Sequence, residues 1–524
     1  MLRTTSFRKY LPVVIAILIL TLLGSCRTDF ETEVSSGNLE FSRDTVYLDT
    51  IFSNIGSSTY TLKVYNRSKK DIHIPSIRLN IGENSNYRLN VDGIPGKSFS
   101  DVTLLAKDSL FVFIETTLDI EDLSQEDSYL YTDQILFEGS SKQQEVELVT
   151  LVNDAIFLYP ERFADGTTET LQLGIDEDGD PIEIDGFFLK DEQLHFTSNL
   201  PYVIYGYAAV PSGKTLEIDA GARLHFHRNS GIIVANQGSL QANGEASNDP
   251  QAMEKEIIFQ GDRLEPDFAN IPGQWGAIWF TNGSTNNYMK HSTVKNATVG
   301  LLVEGNDGGE TLKLDNVQIY NNSTVGILAR TGHITGTNLV VANSGQSAFA
   351  GTLGGKYSFT HCTFANYWRR GHRNLPAVLL SNQMAVSNTE VFIADLEQAD
   401  FKNSIIYGSN QQELVLEHNE QASFNFSIDH SLIRVEDPYN NLVDLPDYDF
   451  ENTDLYNNII LNQDPKFHNP ENFNFHIDIQ ESAAKEIGNG AYIFAAPTDL
   501  DGISRPSSQP DAGAYQATEV IEED

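Results

Sequence analysis

Cysteine is almost absent from this chain of 524 residues, with only Cys26 and Cys362 present. A small-core scaffold held by disulfides is therefore excluded. Basic residues are scarce too: 34 Lys and Arg stand against 73 Asp and Glu, for a formal net charge of −39. So acidic a surface repels phosphate backbones, which excludes nucleic acid as a partner. The acids are spread along the chain and aromatics make up 10% of it, the composition of a folded acidic protein and not of a disordered one. The apolar segment Leu11 to Leu23 is interrupted by Pro12 and Thr21 and is shorter than the roughly 20 residues of a membrane-spanning helix.

What is present is a short repeat. Leu216 and Ile218, Leu224 and Phe226, Ile232 and Val234, and Leu240 and Ala242 are apolar pairs two residues apart, and successive pairs begin eight residues apart. Spacing by two is the period of a strand with one buried face, and a helix with a 3.6-residue period cannot produce it. Turn residues separate the pairs at Ala220-Gly221, Ser230-Gly231 and Gln237-Gly238-Ser239. Three such strands make a coil of about 24 residues, one rung of a three-sided parallel β-helix. Looser rungs follow at Ile278 and Phe280, Leu301 and Val303, and Ile327 and Ala329. Nine or ten rungs of about 4.8 Å predict a rod about 45 Å long. Asn296-Ala-Thr-Val-Gly300 and Asn322-Ser-Thr-Val-Gly326 repeat one approach to a strand, and Asn and Gly there suit left-handed turns.

The N-terminus reads as a signal peptide, with Arg3, Arg8 and Lys9 before the apolar core. It ends in Leu23-Gly24-Ser25-Cys26, which resembles the lipobox of bacterial lipoproteins. That resemblance implies cleavage after residue 25, acylation of Cys26, and a membrane reached through an N-terminal lipid anchor. The residue after Cys26 is Arg27 and not the Asp that resembles an inner-membrane retention signal, so the expectation is the bacterial outer membrane. Asp29, Glu31 and Glu33 are similar to the acidic export signal of surface lipoproteins in Bacteroidetes-type bacteria; an acidic tether is the alternative. The protein is thus expected to be periplasmic or surface-exposed.

Domain boundaries follow from these patterns: signal peptide 1–25, tether 26–38, an immunoglobulin-like β-sandwich 39–154, linker and N-terminal cap 155–201, β-helix 202–434, and a C-terminal capping region 435–524. The sandwich is read from alternating segments at Thr45–Leu48, Tyr60–Tyr65, Asp71–Ile74, Ile77–Leu79, Leu110–Glu115, Gln134–Phe137 and Glu145–Leu151. Its Val64-Tyr-Asn-Arg-Ser68 resembles bacterial Ig-like spacer modules, although no Cys…Trp…Cys core is present.

Near the C-terminus, Asp499-Leu-Asp-Gly502, Arg505-Pro506 and Pro510-Asp-Ala-Gly-Ala-Tyr515 follow Asp464-Pro-Lys-Phe467 and Phe473-Asn-Phe-His-Ile477. The run is similar to the closing signature of right-handed parallel β-helix repeat proteins of bacterial cell surfaces. Ala512 and Gln516 depart from the Ile and Glu often found there. The resemblance spans about residues 200–516 and implies an all-β fold, with Arg505, Asp501 and Asp511 as structural partners in the last turn.

That superfamily includes pectate lyases and polygalacturonases beside members without known activity, so fold does not carry function. The Asp-rich motifs of a polygalacturonase-like site are missing, and Gly332-His333-Ile334 is the nearest fragment. The candidate catalytic cluster is Arg369, Arg370, His372 and Arg373, beside Tyr367 and Trp368. Arginine forks match carboxylates and sulfates, so the loop reads either as an anionic-glycan subsite or as cations paired with the protein's own acids. Trp275 and Trp279, outward by parity with Ile278 and Phe280, are a candidate sugar platform with Tyr367 and Trp368; packing under a loop is the other reading. Asp176, Asp178 and Asp180 could place carboxylates around one Ca²⁺, but Pro181 and Phe187 break the EF-hand pattern and a solvated acidic turn is the alternative. His225 and His227 share a face with Arg223 and are a further metal candidate.

The expected function is a non-catalytic cell-surface lipoprotein that binds or scaffolds, with polysaccharide as the ligand class. A polysaccharide lyase or glycoside hydrolase acting on anionic glycans is the alternative, and a structural or adhesive rod the third. An enzyme would show charged residues clustered over a groove across adjacent rungs, a binder aromatics without that cluster, and a rod neither.

Overall fold

The computed structural model describes residues 32–119, 130–176, 179–249, 252–305, 308–387 and 390–519. The chain divides into two compact units at Asp154 and Ala155.

The first unit is an Ig-like sandwich of a 6-stranded and a 5-stranded sheet. Thr45–Phe52 pairs in parallel with the unit's long strand Gln144–Asn153. Alternation along the strands sends Val46, Leu48, Leu62, Val64, Val112, Ile114, Val146 and Leu148 into one core.

The second unit is a right-handed parallel β-helix. Its strands form a 19-stranded sheet, folded over two flanks, and a 10-stranded sheet on the third flank. One turn shows the rule: Thr215–Asp219 lies on the first flank, Arg223–Phe226 on the second, Gly231–Val234 on the third, and Ser239–Asn243 returns to the first. Leu216, Ile218, Leu224, Phe226, Ile232, Val234, Leu240 and Ala242 all point inward and are fully buried. Their common core continues through Ile278, Leu301, Ile327, Phe349, Phe364 and Ile406. Parallel pairing begins at Ile156–Leu158 and ends at Ile460–Leu461, so the coil is longer at both ends than 202–434. On the first and second flanks its end rungs carry strands of only two or three residues, too brief to show a sequence period.

In four stacked rungs a single left-handed residue makes the bend from the first flank to the second: Asn316 (φ 55°), Asn338 (49°), His361 (53°) and Asn403 (48°). Asn338 Nδ2 donates to Asn316 Oδ1 at 2.9 Å. At the next corner Asn321 Nδ2 donates to Asn296 Oδ1 at 2.7 Å. Of the repeat, Val299 and Leu301 do pair with Val325 and Ile327, but the match of Asn296 to Asn322 is off by one in space. Asn321 (φ 58°) holds the turn, while Asn322 is buried and accepts from the Ala297 amide.

Residues beyond the last rung cover the side of the coil instead of its end. Outward apolar residues of the second flank, among them Val340, Ala365, Ile405 and Leu432, pack against Phe475, Ile477, Ala512, Ala514 and Tyr515. The closing signature makes this contact. Arg505 donates to Asn338 Oδ1 and to the Gly513 and Ala514 carbonyls, and Asp511 accepts from the Glu486 and Ala517 amides. Gly513 is required, since at φ 96° a Cβ would sit 2.7 Å from Ile405 Cδ1.

Candidate functional site

On the first flank, the residues between the inward ones form outward rows one rung apart. The register stacks Gln241, Tyr288, Lys313, Thr335, Ser358 and Asp400 in one row. Beside it run Asn243, Lys290, Asp315, Thr337, Thr360 and Lys402. A cleft of about 460 Å³ opens on this flank across three strands, lined by Gln241, Thr285, Asn286, Asn287, Tyr288, Glu310 and Lys313. That volume lies in the ~300–1,000 Å³ range of small-molecule sites.

Asp315 holds two of the lining residues, Tyr288 and Lys313. Its carboxylate accepts from Tyr288 Oη at 2.8 Å and from Thr337 Oγ1, and it pairs with Lys313 Nζ at 3.2 Å. Lys313 Nζ also lies 5.2 Å from the Tyr288 ring centre. Burial, and then its hydrogen bond to Asp315, push the Tyr288 hydroxyl well above the usual phenol range, so it stays protonated. Carboxylates further down the rows are engaged in the same way. Asp400 accepts from Lys402, Gln398 and Ser427. Asp429 accepts from Tyr492 and Asn457. The cleft therefore presents one aromatic ring among amides and a hydroxyl, with Glu310 and Lys313 beside them and Lys313 paired to Asp315.

The arginine loop does not gather its cations at one point. Arg373 is buried, its side chain 2% exposed, and forks onto Glu413, itself 0% exposed, at 2.8 and 2.5 Å. It also donates to the Asn366 and Leu375 carbonyls. Burial pushes the Glu413 carboxyl up, and its bonds to Arg373 oppose that shift. Arg369 pairs with Glu471 at the surface, and Arg370 donates to the Asn270 carbonyl at 2.9 Å. His372 is exposed. The reading in which these cations match the protein's own acids accounts for Arg369 and Arg373. No sequence spacing could show it, because Glu413 is 40 residues from Arg373 and meets it only through the coil.

Nor do the four aromatic candidates form one platform. Trp275 points inward and is 1% exposed; it stacks on Phe226 at 4.4 Å and donates Nε1–H to the Lys295 carbonyl. The outward expectation fails because the alternation holds only within Ile278–Phe280, and Trp275 lies before that strand, in the corner. Trp279 does point outward, half-buried in a ladder with Ile233 and Leu302 on the third flank. Tyr367 packs edge-on to Phe467 under the C-terminal segment, and Trp368 lies half-buried beside Gly345.

The metal candidates take other roles. Asp176 Oδ1 accepts from the Asp180 amide at 2.8 Å in a hairpin turn, and Asp178 lies outside the described residues. Among the described residues, no group of three or more His, Cys, Asp or Glu could hold a metal ion. His225 is buried, with Nδ1 3.1 Å from the Gly261 carbonyl, and burial lowers it to about 4; His227 pairs with Asp262. Cys26 lies outside the described residues.

No known family model matches the sequence, and no curated protein matches it. Among solved structures, a family 123 glycoside hydrolase from Clostridium perfringens aligns at 9% identity over 22% of this chain and 25% of that one, with a TM-score of 0.15. This chain thus spans about a quarter of that neighbour's length. The catalytic unit of a GH87 α-1,3-glucanase from Streptomyces thermodiastaticus strain HF3-3 aligns at 10% identity over 71% of this chain and 74% of that one, with a TM-score of 0.25. Scores this low carry no argument about function.

Proposed function

We propose that the protein is a lipid-anchored protein of the bacterial outer membrane, displayed at the cell surface, whose β-helix binds polysaccharide without cleaving it. One observation carries the binding: the three-strand cleft in which Tyr288 is the aromatic among Gln241, Thr285, Asn286 and Asn287. A ring with a fixed tilt suits the apolar face of a pyranose, and amides both donate to and accept from sugar hydroxyls. The lyase or hydrolase alternative loses one of its proposed residues, since Arg373 is sealed against Glu413. The lipobox-like Leu23–Cys26 supports the anchor.

Soluble chain starting after Cys26 is titrated with neutral and anionic polysaccharides, while new reducing ends and unsaturated uronic products are followed. Saturable binding without product is expected, and Tyr288→Ala should weaken it about tenfold, or ~1.4 kcal/mol, at an unchanged melting temperature. Product release, or full affinity in Tyr288→Ala, would refute the reading. Binding to no glycan leaves the structural or adhesive rod. For the anchor, Cys26→Ala should abolish incorporation of labelled palmitate and release the protein from membranes; retention of both refutes it.

A further inference from the structure

We infer that a second carbohydrate site lies at the end of the third flank and takes a neutral glycan; the inference rests on the glycan-binding reading above. A pocket of about 290 Å³ opens between the loop after Arg373, the turn at Asn410–Gln412 and the segment Glu436–Asn441. Its walls carry the side chains of Asn374, Asn410, Gln411, Gln412 and Asn441, with Pro376 and Val415 as apolar floor. Five amides offer paired donors and acceptors, the pattern that sugar hydroxyls complete. Tyr439, 80% exposed, is also part of the lining. A ring left this open contributes little to the fold and is free to stack on a pyranose.

Val415 also ends an outward apolar ladder that runs down the third flank from Ile233 through Trp279, Leu302, Leu328, Ala350 and Leu379. A glycan seated in the pocket would have this strip beneath its continuing chain.

Charge selects the ligand. Glu436 and Asp437 stand in the lining, and no Lys or Arg does. Glu436 is held by Arg434 at 2.9 Å, and Asp437 accepts from the Asn441 and Leu442 amides. A uronate or sulfate would meet two carboxylates on a chain of net charge −39, whereas hydroxyls can donate to them.

The pocket is also set before any ligand arrives. Besides forking with Arg373, Glu413 accepts from the Ala377 amide at 2.8 Å and the Asn410 amide at 2.7 Å. Asn410 Nδ2 in turn donates to the Leu375 carbonyl. One buried carboxylate thereby ties the loop to the turn, and both walls are fixed by the same atoms. The arginine cluster conspicuous in the sequence acts here through Arg373, as a positioning residue.

The test uses the chain starting after Cys26 and calorimetric titration with maltohexaose, laminarihexaose, cellohexaose, xylohexaose and hexagalacturonate. Tyr439→Ala and Asn374→Asp are expected to weaken a neutral hexasaccharide tenfold or more with unchanged melting temperatures, and hexagalacturonate is expected not to bind at this pocket. Wild-type affinity in both variants, with affinity lost in Tyr288→Ala, would overturn this inference and leave the first-flank reading standing. Stronger binding of hexagalacturonate, lost in Tyr439→Ala, would overturn the neutral assignment. No binding of any probe would sink both proposals.

Discussion

Arg373→Met isolates the buried ion pair from everything around it. Methionine keeps much of the stem's volume but removes the fork onto Glu413 and the bonds to the Asn366 and Leu375 carbonyls. Both side chains are sealed from water, so the remaining carboxylate keeps its desolvation penalty without its counter-charge. Breaking such a pair costs about 3–5 kcal/mol. The loss should depend on pH. Burial already holds the Glu413 pKa above its unfolded value, and Arg373 opposes that shift, so the variant's pKa rises further. A group with a raised folded pKa binds its proton more tightly when folded. Stability of the variant therefore falls as pH rises from about 4.3, the unfolded value, through the folded one. The deficit against wild type should be smallest in acid and largest near neutrality. All three tryptophans, Trp275, Trp279 and Trp368, lie in the β-helix unit, so urea unfolding followed by their fluorescence reports on it. Adding Glu413→Gln to Arg373→Met should remove the pH slope while keeping an acceptor for the Ala377 or Asn410 amide. A cost below ~1 kcal/mol at neutral pH, within the range of an exposed pair, or a deficit flat across the pH range, would refute the reasoning.

Arg369→Ala, by contrast, breaks an exposed pair with Glu471 and should cost less than ~1 kcal/mol in the same urea assay; a larger loss would show the loop depends on it. Trp275→Ala should cost about 3–5 kcal/mol, because it empties a packed corner against Phe226 and strands the Lys295 carbonyl. If it instead lowers glycan affinity at full stability, the inward placement is wrong. Acid should destabilise the coil through His225 and His361, which burial lowers to about 4 and about 2. Below the unfolded histidine value of about 6.5 the unfolded chain takes up protons that the folded rings refuse, so each costs roughly 1.4 kcal/mol per pH unit. His361→Asn suits the left-handed corner that Asn338 and Asn403 share, and it should reduce the slope of urea midpoint against pH between 6.5 and 4.5, leaving the part due to His225 and to His291, which burial also lowers; an unchanged slope refutes the assignment.

Much of the architecture was legible because its cause is local. A strand with one buried face places apolar residues two apart wherever it occurs, so the pairs from Leu216 to Ala242 announced their inward side, and all of them are buried. Left-handed corners favour Asn, which is why Asn296 marks a turn in the sequence alone. In the second copy of the repeat the strand keeps its register but the turn falls on Asn321, not Asn322, since only the stacking of rungs chooses between two neighbouring asparagines. Alternation likewise stops where a strand stops, and Trp275, just beyond that limit, turned inward.

By itself the sequence determined the all-β character, the coil's period, its inward faces and the acidity of the chain, all of which follow from composition and from spacings within a few residues. Tertiary structure alone decided which outward residues meet. Loop length varies from rung to rung, so Tyr288 reaches Asp315 across 27 positions and Arg373 reaches Glu413 across 40. Whether a charged side chain faces a ligand or a neighbour depends on what the next rung places beneath it. For the arginine loop that was a buried carboxylate, and for the first flank it was a cleft around one tyrosine.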